Sequence, residues 1–157
     1  LYEGGIRVPY IACWPGVIAP ATESDLPINS VDHYPTLLEV AHLAPPQQHT
    51  LDGTSYLSML KGETPKTPRP PLYWHFPGYL GAGENTWRTT PAGAIRDGDW
   101  KLLEFFEDNR LELYNLREDI GERNNLAATH PDRTQQLSNK LTTWRKSINA
   151  PLPTKNN

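Results

Sequence analysis

The chain has 157 residues, which is enough for one ordinary domain with its own core. Its formal net charge of -3 and its scattered lysines and arginines argue against a nucleic-acid or anionic-membrane partner. No apolar run reaches the length of a membrane span, and the single cysteine, Cys13, excludes an internal disulfide framework. The 16 prolines predict many turns and irregular connections.

The first 16 residues predict a glycine turn followed by a short strand. Gly4-Gly5 permits a tight turn or a close approach of the backbone. Residues 7–14 read as a mostly apolar strand, which Pro15-Gly16 ends. Glu3 and Arg7 are expected to pair across the turn and to fix this strand in a supporting role, although an ordinary, partly exposed ion pair explains the same residues.

Two short helices are predicted after a polar connector. The first runs from about 32 to 43, with Asp32 as its N-cap. The second runs over 54–61, and Gly62 ends it. The proline-rich segment 63–71 then predicts a hinge.

The second half of the chain predicts a small antiparallel sheet. Residues 72–76 read as a strand and 77–91 as a long loop. Residues 92–96 and 100–106 pair across Asp97-Gly98, which is a strong two-residue hairpin signal. Residues 110–115 return as the third strand of a meander. Such a sheet needs a cover to be stable.

A final helix at about 132–148 is predicted to supply that cover. Its apolar stripe consists of Leu137, Leu141, Trp144 and Ile148. The polar side chains expected to face solvent are Gln135, Lys140 and Arg145. The tail over 151–157 is predicted to be unstructured.

Four motifs resemble signatures of the sulfatase family, in that family's order. They are Tyr2-Glu3-Gly4-Gly5-Ile6-Arg7-Val8-Pro9 with Trp14-Pro15-Gly16; Asp32-x-x-Pro35-Thr36-Leu37-Leu38-Glu39-Val40-Ala41; Leu51-Asp52-Gly53; and Leu113-Tyr114-Asn115-Leu116 with Glu118-Asp119, Gly121-Glu122 and Asn125-Leu126. In that family the first motif directly follows an active-site lysine, near the end of the catalytic domain. The chain is therefore expected to be the C-terminal portion of an arylsulfatase-like, formylglycine-dependent enzyme of the alkaline phosphatase superfamily.

The resemblance implies an α+β fold. A small antiparallel β-sheet covered by a C-terminal helix would be preceded by the last strand and helix of an alkaline-phosphatase-like α/β catalytic domain. Residues 1–45 would end that catalytic domain, 46–71 would be a connector, and 72–157 would form the C-terminal subdomain. The expected partner of residues 1–45 is the remainder of the catalytic domain, N-terminal to this chain.

The resemblance also implies a parent enzyme that hydrolyses sulfate esters, with sulfated carbohydrates as expected substrates. A hydrated formylglycine would attack sulfur, while a calcium ion, a lysine and histidines would stabilise the sulfate oxygens and assist the leaving group. No catalytic residue, metal ligand or cofactor is expected in this segment, which alone should be inactive. Cys13 lacks the Cys/Ser-x-Pro-x-Arg context of a formylglycine and is interpreted as a small buried hydrophobe.

Two residues are candidate substrate contacts. His75 ends a strand before a long loop, where substrate contacts collect, although a hydrogen-bonded histidine on a sheet edge explains it as well. Arg88 lies in that loop and presents a planar donor fork that suits sulfate. Tyr79 and Trp87 in the same loop offer aromatic faces to a sugar ring, and Trp87 equally suits a loop anchor. The histidines lack the spacing of a metal site.

Two other readings of the sequence stay open. One is a related phosphatase, phosphodiesterase or phosphonate hydrolase of the same superfamily, which the nucleophile region would distinguish. The other is a non-catalytic binding module, which predicts a complete core and ligand binding without turnover. The family resemblance suggests a periplasmic, secreted or lysosomal parent.

Overall fold

The structure is a computed structural model that describes residues 1–64, 68–83 and 86–154. The chain divides into two compact units: Leu1–Val8 with Pro70–Asn157 form unit 1, and Pro9–Arg69 form unit 2. The assignment of residues 1–45 to a catalytic domain, with 46–71 as connector and 72–157 as subdomain, stays a prediction. The predicted hinge includes residues 65–67, and the predicted tail includes 155–157, which lie outside the described ranges.

Unit 1 is built on a four-stranded antiparallel sheet. Its strands are β1 (Leu72–Phe76), β4 (Ala92–Asp97), β5 (Trp100–Phe105) and β6 (Leu111–Asn115), in the order β1-β4-β5-β6. The predicted meander is confirmed, with Asp97 paired to Trp100 across a turn in which Gly98 has a φ of 63°. The strand predicted over 72–76 is confirmed as well, and it pairs with β4 as a fourth strand.

The loop predicted over 77–91 is wrong, because most of it forms a separate hairpin. Its strands are β2 (Leu80–Gly83) and β3 (Thr86–Thr89), with Leu80 opposite Thr89. Glycines are depleted in strands, so the sequence gives a weak strand signal here, and cross-strand pairing overrides it. Residues 84 and 85 lie outside the described ranges.

One face of the sheet is covered by the helix α4 (Pro131–Ser147). The fully buried side chains between them are Ile95, Leu102, Leu113, Leu137 and Leu141. The Trp144 ring stacks on the Tyr73 ring with centroids 4.7 Å apart. The predicted helix and its apolar stripe are thus confirmed up to Trp144, whereas Ile148 lies beyond the helix end and is half-exposed.

The opposite face of the sheet is covered by the N-terminal segment. Its apolar residues are Ala92, Ala94, Leu103, Phe105, Tyr114 and Leu116, against which Leu1 packs. The segment contains one helical turn, α1 (Glu3–Ile6). The strand predicted over 7–14 is wrong, because a strand requires a neighbour that pairs with its backbone and no described residue does so here.

Unit 2 contains a 3₁₀ turn (Ser30–Asp32) and two short helices, α2 (His33–Val40) and α3 (Leu57–Leu60). Both predicted helices exist but are shorter than expected over 32–43 and 54–61. The first ends early because His42 adopts a φ of 56°, whereas Gly62, with a φ of 73°, ends the second as predicted.

Asp32 does not cap α2 as predicted. Its carboxylate instead accepts the backbone N–H of Asn29 at 2.6 Å, which closes a capping box around the 3₁₀ turn. Because this turn precedes α2, the cap falls on the earlier element. None of the described helices in either unit combines the length and hydropathy required to cross a membrane.

Candidate functional site

A fully buried lysine lies on the sheet face that Leu1–Val8 covers. Lys101 on β5 places its Nζ 2.8 Å from Glu3 Oε1 and 2.8 Å from Glu122 Oε1. Lysine is almost never fully buried without a partner, since an isolated buried charge is costly. Two carboxylates therefore compensate one ammonium group, and together they join the N-terminal segment to the sheet and to the turn beyond β6.

Glu3 is fixed through its backbone as well as its side chain. Its N–H donates to Glu122 Oε2 at 2.5 Å. Its own Oε2 lies 3.8 Å from an Arg7 nitrogen and 3.8 Å from an Arg96 nitrogen. The Glu3–Arg7 approach expected from the sequence is therefore present, but the close partner of Glu3 is Lys101. The supporting role proposed for Glu3 and Arg7 stays a prediction.

The turn that presents Glu122 is held by side-chain to backbone hydrogen bonds. The Asp119 carboxylate accepts the N–H groups of Arg123 and Asn124, each at 2.8 Å. Asn125 Oδ1 accepts the N–H of Leu113 at 3.0 Å and thereby joins the turn to β6. The last sequence motif thus owes its Asp and Asn residues to turn geometry, and this turn sets the position of Glu122.

A second buried carboxylate holds Tyr2. Glu112 Oε2 accepts the hydroxyl of Tyr2 at 2.5 Å and that of Tyr114 at 2.8 Å, while Oε1 accepts from Arg110 at 2.7 Å. Burial raises the pKa of Tyr2 from 10.0 to about 12, and the hydrogen bond to Glu112 adds to the rise. Burial and the same carboxylate raise the pKa of Tyr114. Both phenols are therefore held as donors to Glu112.

His75 lies on the edge strand β1, opposite Gly93, and on the sheet face that α4 covers. Its Nε2 lies 2.7 Å from the carbonyl oxygen of Pro151. Because a carbonyl only accepts, Nε2 carries the proton, and Nδ1 is buried without a hydrogen-bond partner in the described part of the chain. The geometry is that of a histidine held by the segment after α4, and its contact with substrate stays a prediction.

Arg145 does not face solvent as predicted. It is 7% exposed, and its Nη1 donates to Glu104 Oε2 at 2.8 Å. Its guanidinium carbon lies 5.2 Å from the centre of the Phe106 ring. A Cβ on Gly93 would lie 3.3 Å from Phe106 Cζ and 3.6 Å from Arg145 Nη1. The missing side chain of Gly93 therefore leaves room for this arginine, which lies four residues after the buried Leu141 on the same side of the helix.

Trp87 and Arg88 are neighbours on β3, so their side chains leave opposite faces of the hairpin. Trp87 is half-exposed, and its ring centre lies 5.1 Å from that of Tyr79. Arg88 lies across Gly81, whose φ is 75° and whose added Cβ would come within 2.8 Å of Arg88 Cδ. One sugar ring therefore does not meet the Trp87 ring and the Arg88 guanidinium on the same face. The substrate contact of Arg88 itself stays a prediction.

Unit 2 has its own buried polar groups. Asp32 is fully buried, accepts the N–H of Thr54 at 2.8 Å and pairs with Arg69 at 2.7 Å. Nearby, the Tyr56 hydroxyl lies 2.6 Å from His33 Nδ1 and 3.0 Å from the Tyr10 hydroxyl. These contacts hold the two short helices and the preceding connector together.

Cys13 is exposed, so its interpretation as a buried hydrophobe is wrong. The strand that was expected to bury it does not form in unit 2. Cys13 lines a cavity of about 290 Å³, together with Tyr10, Trp14, Leu37, Tyr56 and Leu60 among others.

No metal site forms within residues 1–64, 68–83 and 86–154, since no three His, Cys, Asp or Glu side chains cluster there in a way that could hold an ion. The calcium ion that the family implies therefore has no ligand set among these residues. The sequence Cys13-Trp14-Pro15-Gly16-Val17 likewise lacks the arginine of a formylglycine motif. Neither group is assigned to a described residue of this chain.

Comparison with known proteins places these features in a family. The family model for the C-terminal region of N-sulphoglucosamine sulphohydrolase matches residues 1–147. A sulfatase from Formosa agariphila (strain DSM 15362) is 39% identical over 164 residues, which cover 96% of this chain and 29% of the relative. A solved 2-O GAG sulfatase is 28% identical, with a TM-score of 0.59 over 76% of this chain and 25% of that chain.

A further solved protein, in complex with its substrate D-glucosamine-2-N,6-O-disulfate, is 26% identical, with a TM-score of 0.58 over 76% of this chain and 24% of that chain. The chain thus spans less than a third of the length of these relatives. The predicted fold class is confirmed, because the small antiparallel sheet with its C-terminal helix matches the C-terminal subdomain of sulfatases with an alkaline-phosphatase-like fold. The chain belongs to the sulfatase family, and its residues correspond to the family's C-terminal region.

Proposed function

We propose that this chain is the C-terminal part of a sulfatase that hydrolyses sulfate esters of sulfated carbohydrates. The observation that carries the proposal is the family match over residues 1–147, which includes the glycine motif and the turn of Glu122. The carbohydrate class is supported by the names of the relatives, which include a GAG sulfatase and a protein solved with a disulfated glucosamine.

The catalytic groups of this enzyme lie N-terminal to Leu1, and the segment alone does not turn over substrate. When bound in the parent, calcium and formylglycine supply charge stabilisation and the nucleophile. The residues of this chain have a different task. Leu1–Val8 is held on the sheet by Lys101, Glu112 and Glu122. These contacts fix the position of the backbone that connects the sheet to the catalytic groups.

Unit 2 contributes a surface for the remainder of the catalytic domain. Ile11 is 90% exposed, and Leu37 and Tyr34 on α2 are 63% and 51% exposed. Large exposed apolar side chains that lie close together are typical of interaction surfaces, and Tyr34 and Leu37 are three residues apart on one helix.

The function is tested on the full-length protein, expressed with a formylglycine-generating enzyme. Sulfate release is measured from a panel of sulfated monosaccharides and oligosaccharides, alongside phosphate monoesters, phosphate diesters and phosphonates. We expect turnover of sulfated sugars above all other classes, and none by residues 1–157 alone. Preferential turnover of phosphate or phosphonate esters would contradict the proposal, and so would sugar binding without turnover, the property of a binding module.

Within this enzyme we propose His75 and Arg88 as substrate contacts. Arg88 is exposed on β3, and its guanidinium offers two parallel donors to a sulfate group. Replacing it with alanine in the full-length enzyme should raise KM for a sulfated sugar about tenfold, the loss of about 1.4 kcal/mol of binding. Arg117→Ala is the matched control, because Arg117 is an exposed arginine paired with Asp99. Equal KM values for Arg88→Ala and Arg117→Ala would remove Arg88 from the site.

A further inference from the structure

We propose that Lys101 is a positioning residue of the sulfatase reaction, acting through the N-terminal segment. The Glu3–Lys101–Glu122 cluster fixes the backbone from which the residues before Leu1 extend. This inference rests on the proposed function, in which the catalytic groups lie N-terminal to Leu1. It goes beyond that function because Lys101 is fully buried and would act on the reaction only through the Leu1–Val8 segment.

Each of the first three residues is held separately on the same sheet face. The Leu1 side chain packs on the apolar cluster around Leu103. The Tyr2 hydroxyl donates to Glu112, and the Glu3 N–H donates to Glu122 at 2.5 Å. The α1 turn then closes behind them, because the Arg7 N–H donates to the Glu3 carbonyl oxygen at 2.8 Å. A side chain, a phenol and a backbone amide therefore fix the direction in which the chain enters.

Lys101 is the group that makes this arrangement specific. Its two carboxylate partners come from segments far apart in sequence, since Glu3 lies 98 residues before Lys101 and 119 residues before Glu122. No local turn geometry relates these segments. The buried Lys101 ammonium group donates a hydrogen bond to Glu3 Oε1 and forms an ion pair with Glu122 Oε1, each at 2.8 Å, and these two contacts hold the segment on the sheet.

Stability alone is a weak reason for a buried lysine at this position. Replacing buried ion pairs by well-packed apolar residues is often neutral or stabilising, and in some proteins such groups set one specific arrangement instead. Misplacing a catalytic group by about 1 Å can cost about 100-fold in rate. Loss of the Glu3–Lys101–Glu122 cluster would shift the residues before Leu1, and a shift of the catalytic groups among them would lower kcat.

The test uses the full-length enzyme with the substitution Lys101→Met, which preserves an unbranched side chain and removes the charge. The control is Leu141→Ala, which destabilises the opposite face of the same sheet and contacts neither Glu3 nor Glu122. We measure kcat and KM with the best sulfated sugar, at temperatures where both variants are folded. Hydrogen exchange of the peptide that contains residues 1–8 is followed by mass spectrometry.

For Lys101→Met we expect kcat to fall at least tenfold with KM within twofold of wild type, and residues 1–8 to exchange faster. Leu141→Ala should leave kcat, KM and this peptide unchanged, and Lys101→Arg should recover part of the lost kcat. The proposal is overturned if Lys101→Met retains kcat within twofold of Leu141→Ala, or if exchange of residues 1–8 does not change.

Two further outcomes stay informative. If the wild-type enzyme turns over no sulfated substrate, the proposed function fails, whereas hydrogen exchange still decides whether Lys101 fixes the segment. If Lys101→Met does not fold, Glu122→Gln takes its place, since it keeps the side-chain size and an oxygen for the Glu3 N–H. A Glu122→Gln enzyme with unchanged kcat and unchanged exchange of residues 1–8 also overturns the proposal.

Discussion

The two faces of the unit 1 sheet are buried by covers of very different size. A 17-residue helix covers Ile95, Leu102 and Leu113 with apolar side chains. The eight residues Leu1–Val8 help to cover the other face, where Lys101 and Glu112 accompany the apolar cluster. Apolar burial is non-directional and scales with area, so a long helix holds its face mainly by packing, with the Arg145–Glu104 and Lys140–Asp97 ion pairs beside the apolar contacts. A short segment has little area, and charged groups with fixed partners define its position instead.

The largest expected effect comes from removing Lys101 from the sheet face that Leu1–Val8 covers, here called the charged face. Lys101→Met leaves Glu3 and Glu122 buried without their cation, and removal of one partner of a buried pair costs about 3–5 kcal/mol. The free energy of opening, measured by native-state hydrogen exchange of β5 amides in the full-length protein, should fall by that amount. Adding Glu122→Gln to Lys101→Met should restore part of it, because one of the two uncompensated charges is removed.

Lys140→Met is the matched control for the charged face. Lys140 pairs with Asp97 at 2.6 Å, but its side chain is 42% exposed. Such a pair contributes about 0–1 kcal/mol. Equal losses in the free energy of opening for Lys101→Met and Lys140→Met would show that the buried Lys101 ion pairs contribute no more stability than an exposed pair.

The second effect comes from the apolar face. Leu141 is fully buried, and Leu141→Ala should lower the free energy of opening by about 3 kcal/mol through lost burial and a residual cavity. Exchange should accelerate in the α4 amides and not in residues 1–8. An equal acceleration in both places would mean that the two covers open together, and the comparison between the faces would lose its meaning.

The smallest effect is a pH dependence confined to the face under Leu1–Val8. The folded pKa of Tyr2, about 12, lies above its usual value of 10.0. The folded state therefore keeps the phenol proton after the unfolded chain has lost it, so this stabilisation is complete below pH 10 and is lost as pH rises through 12. The raised pKa of Tyr114 acts in the same direction.

This pH dependence is measured as the urea midpoint of the full-length protein between pH 9 and pH 11.5. The midpoint should fall over this interval in the wild type and fall less steeply in Tyr2→Phe, which has no phenol proton to lose. Parallel curves for the two proteins would contradict a role of Tyr2 in this alkaline transition.

The helix-covered face could be predicted from the sequence because its signals are local. Alternation along 111–114, the Asp97-Gly98 turn and the spacing of Leu137 and Leu141 each lie within a few residues. The charged face could not be predicted in the same way, because Glu3 meets a residue 98 positions away. One signal was available. Lys101 lies at every-second-residue spacing with Leu103 and Phe105, on the same face of the strand, and a lysine on a buried face needs a partner.

Three predictions from the sequence were wrong for the same reason, which is that they depend on contacts between residues far apart in sequence. The hairpin over 80–89, the burial of Arg145 and the exposure of Cys13 all depend on which distant surface meets each residue. Arg145 lies four residues after Leu141, so the helical period places it beside the buried stripe, and the gap above Gly93 accommodates its guanidinium group. Local patterns set the elements, and the contacts between them decide which polar side chains are buried.

Leu1–Val8 and the sheet it covers are separated in sequence by the whole of unit 2. During synthesis on the ribosome the segment emerges before the sheet, and Lys101 and Glu122 follow only after about a hundred further residues. At ordinary rates of 5–20 residues per second this is a wait of roughly 5–25 s. Until then the sheet face that binds the segment does not exist, so unit 1 can complete its folding only late in synthesis.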